Sequence, residues 1–181
     1  MRRHYFDHNA TTPVEPRVFE AMRPALEGAF GNPSSIHAFG QDAKRLAEAA
    51  RRQVARLLRC DCKDVVITGG GTEADNLAIL GAAGEIRHVI TSSIEHPAVL
   101  ASCDRLAERG AEVTVLPVGA SGVVSPDDVR AALRPDTGLI SIMAANNEIG
   151  TIQPLAEIGR IAREAGALFH TDAVQAAGKI P

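Results

Sequence analysis

Leu155-Ala156-Glu157-Ile158-Gly159-Arg160-Ile161-Ala162-Arg163-Glu164-Ala165-Gly166-Ala167-Leu168-Phe169-His170-Thr171-Asp172 carries a helix and a strand in one run. Leu155, Ile158, Ile161, Ala162 and Ala165 recur at steps of three and four, which puts them on the inward face of a helix over Pro154–Ala165. The apolar run that follows reads as a buried strand, Leu168–Asp172, delivering a carboxylate at its carboxyl end. The same alternation repeats upstream. Gly138–Ala145, Glu112–Val118 and His88–Ser92 read as strands, with a helix over Pro97–Arg109. Ser125-Pro126-Asp127-Asp128 opens another helix with a capping residue, a proline and early acids. Val65-Val66-Ile67-Thr68 reads as a short strand, and Gly69-Gly70-Gly71-Thr72 turns it into a helix reaching about Ala83. Repeated strand–helix units predict an α/β fold, a mostly parallel sheet with helices on both faces in three layers.

Two further helices precede that series. Glu15–Ala29 is opened by Pro13 and Pro16. A loop, Gly31-Asn32-Pro33-Ser34-Ser35, leads into a long amphipathic helix. Its apolar positions Ile36, Phe39, Ala43, Leu46, Ala50, Val54, Leu57 and Leu58 share one face, and its arginines, Arg45 to Arg59, read as a solvated face.

Composition narrows the functions on offer. A chain of 181 residues suits one domain. A net charge of −3 and 3% aromatic content with no Trp argue against a nucleic-acid partner. No apolar stretch approaches a membrane span of roughly 20 residues, and Met1–Asp7 lacks the apolar core of a signal peptide, so a cytoplasmic location is expected. Three cysteines, Cys60, Cys62 and Cys103, make an odd count that does not build a disulfide framework, and nothing marks any of them as reactive.

The chemistry-bearing residues fall just past the strands. In an open α/β sheet, ligands bind at the carboxyl ends of strands. A buried Asp at such an end, Asp172 followed by Gln175, suits pyridoxal phosphate, whose pyridinium nitrogen must keep its proton to act as an electron sink. The turn through Gly71 and Thr72 offers backbone N–H groups and a positive helix end to a phosphate, with Thr72 able to cap the helix or donate its hydroxyl. It lacks the endings of a P-loop and of a dinucleotide fingerprint, and packing alone also explains such glycines. His96, between a strand and a helix, can lie flat on a planar ring and move protons near neutral pH; an ordinary loop histidine is the plainer alternative. Asn146-Asn147-Glu148 either satisfies a turn or faces a ligand. A metal held by His96, His170 and Asp172 finds no support in the spacing, so none is expected. Lysines occur only at Lys44, Lys63 and Lys179, and none is placed to hold the cofactor aldehyde as a Schiff base. Lys179 is expected on a loop running away from the carboxyl edge.

Six blocks in order resemble the cysteine desulfurases, a branch of the class-V aminotransferase family with the type I pyridoxal-phosphate fold. They are Phe6-Asp7-His8-Asn9-Ala10-Thr11-Thr12-Pro13, Gly31-Asn32-Pro33-Ser34-Ser35-Ile36-His37, Thr72-Glu73-Ala74-Asp75-Asn76, Glu95-His96, Asn146-Asn147-Glu148-Ile149-Gly150 and His170-Thr171-Asp172-Ala173-Val174-Gln175. The resemblance implies that Gly71 and Thr72 hold the phosphate and that His96 stacks on the pyridine ring and takes part in proton transfer. It implies that Asn147 and Gln175 bond the ring-hydroxyl region and that Asp172 pairs with the ring nitrogen. Gly71 stands where many relatives carry alanine.

The implied activity is conversion of L-cysteine to L-alanine with the sulfur kept as an enzyme persulfide, for iron–sulfur assembly or tRNA thiolation. The implied partners are a second copy of the full-length enzyme, as a homodimer, and a sulfur-acceptor or scaffold protein. Residues 1–13 are expected to associate with a small domain, and 14–181 to form part of the large cofactor-binding domain. The family's Schiff-base lysine and nucleophilic cysteine lie on later stretches, so the chain resembles an N-terminal half, expected to be inactive alone and, with an unpaired sheet edge, to aggregate or need a partner. Two alternatives stand beside this: a non-catalytic cofactor-binding or dimerisation module, and a selenocysteine lyase.

Overall fold

The structure, a computed structural model, describes residues 3–82, 84 and 86–180. The chain divides into two compact units, Met1–Ile67 and Thr68–Pro181.

The first unit holds α1 (Pro16–Glu27), α2 (Ala38–Leu58) and a short 3-10 helix over Cys62–Asp64. Glu15 caps α1, with Pro16 in its first turn. The loop before α2 packs tightly on the helix start. A Cβ at Gly31 would meet Phe39 O at 2.1 Å, and one at Gly40 would meet Ser35 O at 2.4 Å, so only glycine fits at either place. The apolar positions of α2 fall on one face of the helix as expected, but that face is largely exposed. Of its predicted residues only Ala43 is buried, and Ile36, Phe39 and Leu57 are exposed. A helix face is buried only where another element covers it, and α1 likewise buries no residue. The arginines of α2 are solvated as predicted, except that Arg51 is half-buried and donates to Val65 O at 2.7 Å. Val65–Thr68 is not a strand: no neighbouring backbone pairs with it among the described residues, and Val66 and Ile67 are exposed.

The second unit runs α3 (Gly71–Gly81), β1 (His88–Ser92), α4 (Pro97–Glu108), β2 (Glu112–Leu116), α5 (Pro126–Ala132), β3 (Thr137–Ser141), α6 (Leu155–Ala165) and β4 (Leu168–His170). The expected end of α3 at Ala83 lies outside the described residues. All four strands are parallel, in the order β2-β1-β3-β4. β1 has the expected bounds, whereas β2, β3 and β4 end earlier than predicted at their carboxyl ends, because the residues beyond turn into loops. The β3–β4 pairing nonetheless continues irregularly: Ile142 N–H donates to His170 O at 3.1 Å and Ala144 N–H to Asp172 O at 2.8 Å.

The helices cover both faces, as expected of three layers. Ile90, Leu116 and Ile140 pack with Val129 of α5 and Ile158, Ile161 and Ala162 of α6. Val89 and Leu139, the next residues along the same strands, pack on the opposite face with Ile79 of α3 and Val99, Cys103 and Leu106 of α4. Ala165 is exposed rather than inward, because α6 ends there and Gly166 caps it in the left-handed region. Cys103 is buried, and burial pushes its thiol up to about 11, so it is an inert core side chain as predicted.

Candidate functional site

The chain passes from β1 sideways to β2, but from β3 it passes the other way to β4. Their carboxyl ends therefore open a crevice at a switch of direction, the place where an open α/β sheet binds ligands. The turn after β1 (residues 93–96), the loop after β3 (142–153) and the segment after β4 (171–179) converge there with the start of α3.

Gly70 is the N-cap of α3 and no side chain caps the helix. The expectation that Thr72 caps it is corrected: Thr72 lies in the first turn, exposed, with its hydroxyl available. The uncapped N–H groups and the hydroxyl form a donor set suited to an anion. Glu73 instead closes the preceding turn, accepting from Gly69 N–H at 2.7 Å. A Cβ at Gly71 would meet Val174 Cγ2 at 3.1 Å, so the helix start lies close against the segment carrying Asp172 and Gln175.

Asp172 is half-buried. Its Oδ1 accepts from Val174 N–H at 2.9 Å, which orients the carboxylate and leaves Oδ2 as an acceptor. Residues 173–179 fold back in successive turns, and Lys179 Nζ donates to Gln175 Oε1 at 2.9 Å. Lys179, expected on a loop running away from the carboxyl edge, is exposed and tied by this bond to Gln175 four residues back.

His96 is the N-cap of α4, where its Nδ1 accepts from Ala98 N–H at 3.1 Å. That bond leaves the ring's proton on Nε2 in the neutral form and exposes one edge of the imidazole. Asn146 and Asn147 divide the two roles open to them. Asn146 Oδ1 accepts from the N–H groups of Glu148 and Ile149 at 2.8 and 3.0 Å, and Nδ2 donates to Ile94 O at 2.8 Å. It locks the turn, while Asn147 is the half-buried amide of the loop.

Beneath these residues lie two buried carboxyls that sequence reasoning did not single out as site residues. Glu95 is 5% exposed; its Oε1 accepts from Ser92 Oγ at 2.5 Å and Met143 N–H at 3.0 Å. Its Oε2 is buried with no partner among the described residues. Burial above all, with the charges of Asp172 and Asp75 adding, pushes its carboxyl up to about 7 against the pull of those two hydrogen bonds. Asp75 of α3, equally buried, is pushed up to about 6 by burial and then by Asp172, while His96 pulls it down.

His170 Nδ1 meets Ser141 Oγ at 2.8 Å. Its Nε2 stands 3.6 Å from Asp75 Oδ1, and burial lowers the imidazole's pKa, so this is a neutral ring beside a carboxyl rather than an ion pair. Both carboxyls sit inside the sequence blocks quoted above. The only signal available for them was an acid in a segment otherwise dear to leave polar. Among the described residues no group of His, Cys, Asp and Glu side chains is placed to hold a metal, and no helix is long and apolar enough to cross a membrane.

The profile of the family described as "Aminotransferase class-V" matches residues 4–181. The chain is 50% identical over 181 residues to "Cysteine desulfurase IscS" of Dictyoglomus turgidum, covering 98% of this chain and 46% of that protein. It is 54% identical to the protein of the same name from Methanosarcina thermophila, covering 98% of this chain and 45% of that one. Among solved structures, a NifS-like protein superposes with a TM-score of 0.94 at 41% identity, covering 99% of this chain and 51% of that chain. DndA from Streptomyces lividans gives 0.87 at 44% identity, covering 98% and 51%. The chain thus spans about half the length of the curated relatives it matches.

Proposed function

The chain belongs to the class-V aminotransferase family, whose cofactor is pyridoxal 5'-phosphate, and on that premise we propose that it forms the cofactor-binding wall of a cysteine desulfurase. The observation that carries the reading is the convergence, at one switch crevice, of an uncapped helix start, an imidazole, two amides and an oriented carboxylate. Those donors and acceptors fit the group: an anion subsite at α3, and an acceptor for a ring N–H at Asp172 Oδ2. When bound, the cofactor supplies an electron sink for bonds made and broken at the substrate's carbons.

The chain's own residues then have separate work. The N–H groups at Gly71 and Thr72, with the Thr72 hydroxyl, bind the phosphate. Asp172 keeps the ring nitrogen protonated through a charge-assisted bond. Asn147 and Gln175 donate toward the ring hydroxyl. His96 would face the ring and could hold or move a proton at Nε2, since Nδ1 is held by Ala98 N–H. Asn146 and Glu95 hold the loops that present these groups.

The overall change in this reading is L-cysteine and an enzyme thiolate going to L-alanine and a persulfide. The lysine that anchors the cofactor and the thiolate that takes the sulfur are not among this wall's residues. The same proposal includes residues 1–13 as a small-domain segment, 14–181 as part of the large domain, a cytoplasmic homodimer, and a sulfur-acceptor or scaffold protein feeding iron–sulfur assembly or tRNA thiolation.

The test adds pyridoxal phosphate and the remaining half of a full-length relative to this chain and measures alanine released from L-cysteine. Alanine release that D172N abolishes is the expected result. No alanine, beside a full-length control that works, would overturn the reading.

A further inference from the structure

The turn that carries His96 is fastened at three points. Ser93 N–H donates to Leu116 O at 2.9 Å, tying it to the end of β2. Ile94 O accepts from Asn146 Nδ2 at 2.8 Å, tying it to the loop after β3. The third point is a carboxyl: Glu95 Oε1 takes both Ser92 Oγ, on its own strand end, and Met143 N–H, across the crevice. The next residue is His96, whose place as N-cap depends on the direction in which the turn leaves Glu95.

We propose that Glu95 is a positioning residue which fixes His96 by clamping the β1–α4 turn to the first loop residues after β3. The proposal rests on the reading of the crevice as a pyridoxal-phosphate site and assigns a further residue to it. A fold held only by packing has no need of a buried carboxyl here, because an apolar side chain would fill the space. What an apolar side chain cannot do is receive the N–H of Met143, a residue only 3% exposed, whose donor would then be left unpaired. The acceptor is shared by two donors on opposite walls of the crevice, so its loss frees the turn on both sides.

The remaining oxygen, Oε2, has no hydrogen-bond partner among the described residues. The proton that burial, and then Asp172 and Asp75, favour on Glu95 therefore costs the clamp nothing, and the clamp works through Oε1 in either protonation state. Cys103, also in this environment, is neutral and adds no charge.

A double-variant cycle in the full chain tests this, with E95A, E95Q, H96A and E95A/H96A titrated with pyridoxal phosphate by cofactor fluorescence. E95A is expected to weaken binding about tenfold, the size that orphaning a buried donor produces. E95Q, which keeps an oxygen for Met143 N–H, returns to near the parent value. In the H96A background E95A is expected to add nothing, because the histidine it positions is gone. A merely structural role predicts the same loss in both backgrounds, and that result overturns the proposal.

The cofactor-free chain supplies an independent readout. The two imidazole nitrogens of His96 are expected to show distinct 15N shifts in the parent and in E95Q, and converged shifts in E95A. Unchanged shifts in E95A also overturn the proposal. A parent chain with these shifts that binds no pyridoxal phosphate overturns the functional reading of the crevice and leaves the clamp itself supported.

Discussion

The two ends of β1 each bury an ionisable side chain and treat it in opposite ways. At the amino end His88 is fully buried, and both ring nitrogens are used, Nδ1 with Thr137 Oγ1 and Nε2 with Thr114 Oγ1, each at 2.8 Å. Burial first, and then Arg134, push the imidazole's pKa down and keep the ring neutral. At the carboxyl end Glu95 has one oxygen bonded twice and the other without a partner among the described residues, and burial, with Asp172 and Asp75 adding, disfavours its charge. A fold that saturates one end of a strand and leaves the other short of partners separates its two tasks. The amino end holds the sheet together, and the carboxyl end keeps the polar capacity that the proposed cofactor wall calls for.

The sharpest way to break that comparison is H88A. It leaves a cavity and removes the partner of two threonine hydroxyls, so a loss of about 4 kcal/mol of unfolding free energy is expected in urea. Cofactor affinity per folded molecule stays unchanged. A variant that unfolds like the parent would remove the amino end's claim to stability.

E95Q probes the other end through pH. The carboxyl's ordinary value of 4.5 is raised to about 7 in the fold, so the folded chain holds a proton that the unfolded chain has released. The stability linked to this group is full below about pH 4.5 and is lost as the pH climbs through 7. E95Q carries no such proton, and by pH 8 it should exceed the parent by up to about 3 kcal/mol, with a flatter profile across the range. Parallel melting profiles from pH 4 to 8 would count against it. Asp75, raised to about 6, contributes in the same direction and remains in the variant.

Next in size is D172N, which keeps the acceptor for Val174 N–H but loses the charge. Pyridoxal-phosphate affinity should fall by about 2 kcal/mol while the melting temperature moves little. The smallest effect belongs to T72V. It deletes one exposed hydroxyl from the phosphate subsite and should weaken cofactor binding by about 1 kcal/mol, read in the same titration. If T72V outweighs D172N, the phosphate subsite rather than the ring nitrogen dominates recognition.

Much of this architecture is legible in the residues themselves. The strand–helix alternation of the second unit, its two covered faces and the placement of Thr72, His96, Asn147, Asp172 and Gln175 past helix starts and strand ends follow from periodicity and turn chemistry. Val65–Thr68 was misread because an apolar β-branched run looks like a strand whether or not a neighbour pairs with it. The apolar positions of α2 share one face as expected, yet only Ala43 among them is buried, because periodicity reports which residues share a face and not what covers it. Glu95 and Asp75 escaped notice because their burial comes from chain segments far apart in sequence. Met143 N–H reaches Glu95 across 48 residues.

The close approach of Gly71 to Val174 has a consequence for how such a chain changes over generations. A methyl group at position 71 would have to push Val174 Cγ2, 3.1 Å away, aside by a few tenths of an ångström. The two positions therefore share one allotment of volume, and the order of substitutions matters. Trimming Val174 to alanine first opens a path along which Gly71→Ala follows freely, whereas Gly71→Ala first meets a β-branched side chain with few rotamers to yield. A lineage that carries alanine at the first site is accordingly expected to carry a smaller or more pliant residue at the second.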